Sequence, residues 1–435
     1  MKTELGNKRM AQGVKILIIS GIPIRTDTNS GKTLQTLFSA FDKNELSQLY
    51  FSPETPNVDM CSSYYQMCEK QMIKSGFGIL KNRCGGAVKH VNDSKAGYEK
   101  NALIWTKNKR SIHMRLIREI IWNLTYWKNN NLRKWLKEQK PDVIFAVMQD
   151  TNGATKAINW IAQETGCNIF LYITDDYYYD PEASKNIIRK IYFKKRQELY
   201  KKMSGKIKTL IGCSERITEH FSSVLSVKNV ATVYTPSAEA YLNMPYKVYN
   251  EKNTVKIRYF GNLGLGRWQQ LKKLAEAIRE INFEKPKAML EVYSSDTDPN
   301  TKTELSIENG CVYKGWVQGK DYLDLLQDAD IAVHVESFDE HNICRTWGSI
   351  STKIADYLGA GKCILAIGPA EVASITHIKN VSCTVNDLSE LKERLEILID
   401  NASKRAELQN GARELAKKSH DITRISAELR KIIKT

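Results

Sequence analysis

The chain lacks any run approaching the roughly 20 consecutive apolar residues that a bilayer-spanning helix needs, so a polytopic membrane protein is excluded. None of its nine cysteines forms a Cys-x-x-Cys pair, and an odd number cannot close a complete disulfide framework. Several lie inside apolar stretches, which predicts reduced, buried thiols in an intracellular protein. Its seven histidines show neither His-Glu-x-x-His nor His-x-His spacing, so the common zinc signatures are missing. With only 24 glycines and 10 prolines in 435 residues, collagen-like and low-complexity chains are excluded as well.

What is present is the composition of a folded protein. Hydrophobic residues make up 42% and charged residues 26%, and 435 residues suffice for two or three domains. Charge is unevenly placed. Residues 1–249 carry 38 Lys+Arg against 22 Asp+Glu, whereas residues 250–435 carry 27 against 27. The whole excess of +16 therefore belongs to the first half, which steers towards polyanions such as an acidic membrane surface or a phosphorylated ligand. No helix-turn-helix, zinc-finger, RRM or KH signature accompanies it, so nucleic acid is not the expected partner. The opening MKTELGNKRMAQGVKILIISGIPI imitates a secretory leader, but Lys15 interrupts the apolar run and Glu4 sits in the basic part. A buried first strand and a cytoplasmic protein, with peripheral attachment to the inner face of the cell membrane, are expected.

Short apolar runs alternate with helix-length amphipathic sequence. Val14–Gly21, Val143–Met148, Ile169–Thr174, Leu210–Cys213 and Val230–Tyr234 read as strands, with a helix over Thr33–Phe41. A second series runs through Val255–Phe260, Met289–Tyr293, Ile331–Val335 and Cys363–Ala366. Pro236–Asn253 reads as the linker, and Ser403–Lys434 as a charged helical stretch. The expected fold class is α/β, with two tandem Rossmann-like, doubly wound domains facing a cleft. Residues 1–240 form the first domain and 250–410 the second, while 411–435 is a helix that packs back on the first.

Three motifs have bland readings that compete with functional ones. Ser30-Gly31-Lys32-Thr33 resembles the end of a Walker loop, but Thr26 stands where the first glycine belongs. Gly31 then marks a glycine loop at a helix N-terminus lining the cleft. Asp296-Thr297-Asp298 has Asp-x-Asp spacing, yet Asp, Pro299 and Asn300 are ordinary turn-formers, and no metal site is assigned. Ser111–Lys128 places Ile117, Ile120, Ile121, Leu124 and Trp127 near one helical face with Arg115 and Arg118 among them, and Lys185–Lys208 holds ten Lys/Arg against one Glu. Such helices suit an anionic lipid surface; their alternative is a domain core with solvated lysines.

Four stretches of the second half follow one another in a recognisable order: Arg258–Arg267 (RYFGNLGLGR), Leu290–Tyr293, Val312–Val317 (VYKGWV) and Ser351–Leu365 (STKIADYLGAGKCIL). With Thr174–Tyr177 and Leu210–Ser214 in the first half, this order resembles the GT-B glycosyltransferases, especially the retaining family-4-like enzymes of bacterial surface-polysaccharide assembly. The resemblance implies that residues 1–240 bind the acceptor and 250–410 a donor that is a nucleotide-diphosphate sugar, with no metal or other cofactor and a glycan acceptor that is lipid-linked. Chemistry gives these residues matching tasks. Gly261, Asn262, Gly264 and Gly266 let backbone N–H groups approach phosphate, and Arg267 supplies a bidentate cation. Lys353, beside Thr352 at a helix start, adds a second cation. Asp356 stands at the family's ribose-binding carboxylate, and Tyr293 and Trp316 join the donor side from the other two motifs. Relatives carry a glutamate eight positions before that carboxylate, where this chain has Gly348. Glu336, Glu340 and His341, in the polar stretch Ser337–Ser351 and just before it, are the substitutes considered. On the acceptor side Asp150, Asp175 and Asp176 follow predicted strands and are placed to orient or deprotonate a hydroxyl. A nucleotide-sugar epimerase or hydrolase, or a non-enzymatic polyanion-binding scaffold, are the competing readings of the same fold.

Overall fold

A computed structural model describes residues 13–76, 84–88, 111–249, 254–296 and 298–435. Residues 1–12 of the leader-like opening, 250–253 of the linker and Thr297 of the Asp-x-Asp stretch lie outside the described residues. The chain divides into two compact units, Met1–Val233 with Ser426–Thr435, and Tyr234–Ile425.

Among the described residues the first unit carries eight strands: β1 (Ile16–Ser20), β2 (Leu46–Tyr50), β3 (Ser63–Gln66), β4 (Gly86–Ala87), β5 (Val143–Val147), β6 (Asn168–Ile173), β7 (Ile207–Gly212) and β8 (Val230–Thr232). Their order is β4-β3-β2-β1-β5-β6-β7-β8, parallel except for the β3–β4 pair. All five residues of β1, ILIIS, are buried, as a strand covered on both faces requires. The helix after β1 spans Asn29–Leu37, one turn earlier than the expected Thr33–Phe41, because the Lys32 N–H already bonds the Thr28 carbonyl at 2.9 Å. Ser426–Thr435 completes this unit. The Ser426 hydroxyl donates to the Leu37 carbonyl (2.8 Å) and accepts from the Ala40 N–H (2.8 Å), and Arg430 pairs with Glu45.

The second unit is a six-stranded parallel sheet of β9 (Val255–Phe260), β10 (Ala288–Tyr293), β11 (Cys311–Gly315), β12 (Ile331–Val335), β13 (Cys363–Ile367) and β14 (Cys383–Val385), in the order β11-β10-β9-β12-β13-β14. Alternate residues of each strand face opposite layers. Ile257, Tyr259, Ile331 and Val333 pack with Leu271, Leu274 and Leu395 on one side, while Phe260, Ala332 and Ala366 pack with Ile354, Leu358 and Ala412 on the other. Helices thus cover both faces, and the strand order reverses between β9 and β12, as it does between β1 and β5 in the first unit. Ligands in such sheets bind beyond the carboxyl ends of the strands at that reversal.

Two helical expectations need correction. The stretch Ser403–Lys434 is two helices, Ala402–Ser419 and Ile422–Lys434, interrupted at His420, whose Nδ1 lies 2.7 Å from the Thr235 carbonyl and whose N–H bonds Ala416. Ser337–Ser351 is not all loop, since Asp339 caps a helix over Glu340–Thr346 by accepting from the Asn342 N–H at 3.1 Å.

Candidate functional site

The glycine-rich stretch after β9 is shaped by close approach. The Tyr259 hydroxyl donates to the Asn262 carbonyl at 2.6 Å, and a Cβ on Gly261 would lie 2.8 Å from that hydroxyl. Asn262 turns its own side chain back to accept from the Gly264 N–H at 2.6 Å. Gly266 has φ +74° and a Cβ there would meet Ser337 Oγ at 2.6 Å, so this position requires glycine on both grounds. The helix Arg267–Ile281 begins immediately afterwards.

Arg267 is held at the β9/β12 reversal. Its Nη2 reaches both carboxylate oxygens of Glu336 (3.1 and 2.9 Å) and its Nε donates to the Val335 carbonyl (3.3 Å), both residues at the carboxyl end of β12. Glu336 is only 3% exposed. Burial pushes its carboxyl above the usual carboxylate range, and the Arg267 charge opposes that rise. Behind it His334 Nε2 lies 3.0 Å from Ser374 Oγ and 3.6 Å from Glu336, and burial with the Arg267 charge lowers this imidazole to about 3. A neutral histidine, a serine and a carboxylate therefore fix one guanidinium.

A second cluster lies at the same sheet edge. Phe260 and Tyr293, the last residues of β9 and β10, stack with centroids 5.1 Å apart, and Tyr322 meets Phe260 edge-on at 4.9 Å. The buried Tyr322 hydroxyl, kept protonated by desolvation and the adjacent carboxylate, donates to Asp356 Oδ2 at 3.2 Å. Lys353 Nζ sits 3.6 Å from the same oxygen and 4.2 Å from the Tyr322 ring centre, on the first turn of the helix Thr352–Gly359. Asp356 is 5% exposed, so its carboxylate is a shielded acceptor rather than a surface charge.

Glu340 is exposed and His341 half-buried, both on the first turn of the helix Glu340–Thr346, while Trp316, just beyond β11, is 58% exposed. Thr352 is half-buried at its helix start. Asp298 caps the helix Pro299–Leu305 by accepting from the N–H (3.0 Å) and hydroxyl (2.7 Å) of Thr301, and Asp296 accepts from the Asp298 N–H (2.9 Å), so both carboxylates are occupied as turn caps. In the first unit Gly31 is the third residue of its helix, where a Cβ would lie 2.8 Å from the Arg25 N–H nitrogen. The Asp150 carbonyl accepts from the buried Arg115 (2.7 Å) and from Arg196. Asp175 Oδ2 accepts from the Thr174 (3.1 Å) and Tyr177 (3.4 Å) hydroxyls, and Asp176 Oδ1 from the N–H groups of Tyr178 (3.0 Å) and Tyr179 (3.1 Å). Sequence reading missed His334, Ser374, Ser337 and Tyr322. Only their places at or beyond strands β12 and β13, or across a helix from Asp356, bring them in, and spacing in the chain carries no sign of that.

Residues 244–431 match the family model of glycosyl transferase-like proteins. No curated protein sequence matches the chain. Among solved structures, a trehalose-6-phosphate synthase superposes with a TM-score of 0.61 at 12% identity, covering 97% of this chain and 99% of its own. A sucrose-phosphate synthase from Thermosynechococcus elongatus gives 0.61 at 10%, with 97% and 98% covered. A UDP-forming α,α-trehalose-phosphate synthase from Burkholderia xenovorans, in complex with glucose-6-phosphate, gives 0.60 at 9%, with 97% and 100% covered. The fold is that of the GT-B glycosyltransferases, and most of the second unit falls in the stretch that is similar to glycosyl transferase-like proteins.

Proposed function

We propose that the protein is a glycosyltransferase that moves a sugar from a nucleotide-diphosphate sugar to an acceptor hydroxyl, with the donor held at the carboxyl edge of the second sheet. The observation that carries this reading is Arg267, clamped by Glu336 at the β9/β12 reversal within the stretch similar to glycosyl transferase-like proteins. A cation fixed before the substrate arrives stabilises the leaving diphosphate without reorganisation, which is where such sites gain most. Lys353 adds charge at the positive end of its helix, and Asp356 offers a shielded acceptor to ribose hydroxyls. The bond from the sugar's C1 to the distal phosphate oxygen breaks, the acceptor oxygen bonds to C1, and the hydroxyl proton passes to the departing phosphate. The two cations supply the electrostatic part of this step, and the reading requires no metal.

The finer reading is a retaining enzyme of bacterial surface-polysaccharide assembly, acting in the cytoplasm at the inner membrane face on a lipid-linked glycan. The resemblance in the second unit and the basic excess of residues 1–249 support it. A sugar-phosphate acceptor is the second reading, favoured by the Burkholderia xenovorans neighbour in complex with glucose-6-phosphate. The test supplies labelled nucleotide sugars with lipid extract, with glucose 6-phosphate, or with neither. Label entering the lipid fraction supports the first reading and label on the sugar phosphate the second. Conversion of the donor with no acceptor present would replace both by an epimerase or hydrolase.

A further inference from the structure

The basic, apolar helices of the first unit differ in the structure from the face drawn in sequence. In the helix Ile112–Leu124, Ile121 and Trp122 are buried, as is the following Trp127, so these residues belong to the core. The two arginines also turn inward, Arg115 to the Asp150 carbonyl (2.7 Å) and Arg118 to Glu69 (2.9 Å). What remains outside is Ile117 (43% exposed), Ile120 (54%) and Leu124 (61%), spaced as one helical stripe.

A second set stands beside it. The helix Ile187–Ser204 exposes Ile187 (68%), Ile188 (46%) and Ile191 (61%) on its first turns. The two helices are joined through Lys195–Glu119 (2.7 Å) and by Arg115 over the Phe193 ring (5.5 Å). By helical period Ile112 and Leu116, both half-buried, lie on the flank that carries Glu119 and lead round to the exposed Ile120, while Ile188 and Ile191 lie on the flank that carries Lys195. Six large aliphatic side chains are thus exposed on two helices that touch, an accumulation that a soluble surface ordinarily avoids.

The charges around the patch select its occupant. Of the ten basic residues in 185–208, Arg196 is buried, Arg189 pairs with Asp180 (2.6 Å) and Glu182 (2.6 Å), and Lys195 with Glu119. Lys185, Lys190, Lys194, Lys201 and Lys202 are exposed, with Glu198 the one exposed acid on that helix. We infer that this two-helix patch docks on an anionic lipid bilayer, Ile117, Ile120, Leu124, Ile187, Ile188 and Ile191 entering the headgroup–acyl boundary while the lysines meet lipid phosphates. Aliphatic insertion beside cationic contact is the interfacial mode of binding. The two helices border the carboxyl end of β5, because Arg115 and Arg196 both bond the Asp150 carbonyl there. The inference deepens the lipid-linked reading of the acceptor and rests on it only for its purpose.

The test is sedimentation of the full-length protein with vesicles of phosphatidylcholine alone and with 30% phosphatidylglycerol (about one-third anionic, chosen to give a surface potential). Binding to the anionic vesicles is expected, weakening as salt rises. Ile120→Glu with Ile191→Glu, both at exposed positions, is expected to lower partitioning about tenfold, and Lys190→Glu with Lys194→Glu to do likewise. Nucleotide affinity should be unchanged in both variants, so loss here and loss of the donor reading are separate results. Equal partitioning of wild type and the isoleucine variant would overturn the inference. So would absence of vesicle binding together with a dimer that the isoleucine variant dissolves, which would make the patch a contact between copies.

Discussion

Arg267 draws its precision from the residues packed behind it. The guanidinium is oriented by Glu336 and the Val335 carbonyl, and Glu336 in turn sits against a histidine that burial keeps neutral. His377 and His420 form a comparable pair. The Thr235 carbonyl only accepts, so His420 carries its proton on Nδ1, and His377 must donate from Nε2 across the 2.8 Å gap between the rings. Burial lowers His377 to about 4 and His420 to about 3. All three imidazoles are thus depressed from 6.5, and their contribution is complete above that value. As pH falls below it the unfolded chain binds protons that the fold refuses, at about 1.4 kcal/mol per pH unit for each group. Glu336, raised by burial, works in the opposite sense and offsets part of the loss, because its penalty fades as it protonates. Thermal melts from pH 7 to 5 should show a clear fall in Tm; a flat profile would mean that these rings are solvated and protonated in the fold.

At the scale of elements, the strand–loop–helix joining β9 to its helix is a single device. Gly266→Ala puts an L side chain at positive φ, costing about 1–2 kcal/mol, and drives Cβ against Ser337. Nucleotide affinity should drop about tenfold in calorimetry, the equivalent of about 1.4 kcal/mol. An unchanged affinity would show that the loop does not shape the donor site. This loop was legible in the sequence, as were Val255–Phe260 and Ile331–Val335, because buried parallel strands are written in unbroken β-branched and aromatic runs. Strand β2 was not. Its LSQLY is fully buried, but Gln48 looks like a surface residue until Ser20 and Ile24 are seen beside it, accepting from its amide at 2.8 Å and donating to its carbonyl at 3.0 Å. Ser63–Gln66 and Cys383–Val385 were too short to register. In the site, Arg267, Lys353 and Asp356 stood out because glycines or a family pattern surround them. His334 and Ser374 did not, since nothing in a strand or a helix start announces a contact across 40 residues.

At the scale of the whole molecule, the chain returns its last ten residues to the unit in which it began. Leu429 and Ile433 are almost completely buried there, and each is worth about 1.5–3 kcal/mol on burial. Ending the chain after Ile425 should therefore lower the stability of the first unit by several kcal/mol in urea unfolding followed by its tryptophans Trp122, Trp127 and Trp135, all buried in that unit. An unaltered transition would make the terminal contacts incidental. The division of charge follows the division of the fold, with the basic excess in the half that carries the aliphatic patch and the balanced half carrying the Arg267 and Asp356 clusters. The most direct test is calorimetric titration of the full-length protein with UDP, GDP, ADP, dTDP and CMP, without added metal, beside Arg267→Ala. Micromolar binding of one nucleoside diphosphate is expected, weakened about 10- to 100-fold in the variant, or about 1.4–2.8 kcal/mol. Binding of none of them, or full affinity in a folded Arg267→Ala, would contradict the donor reading.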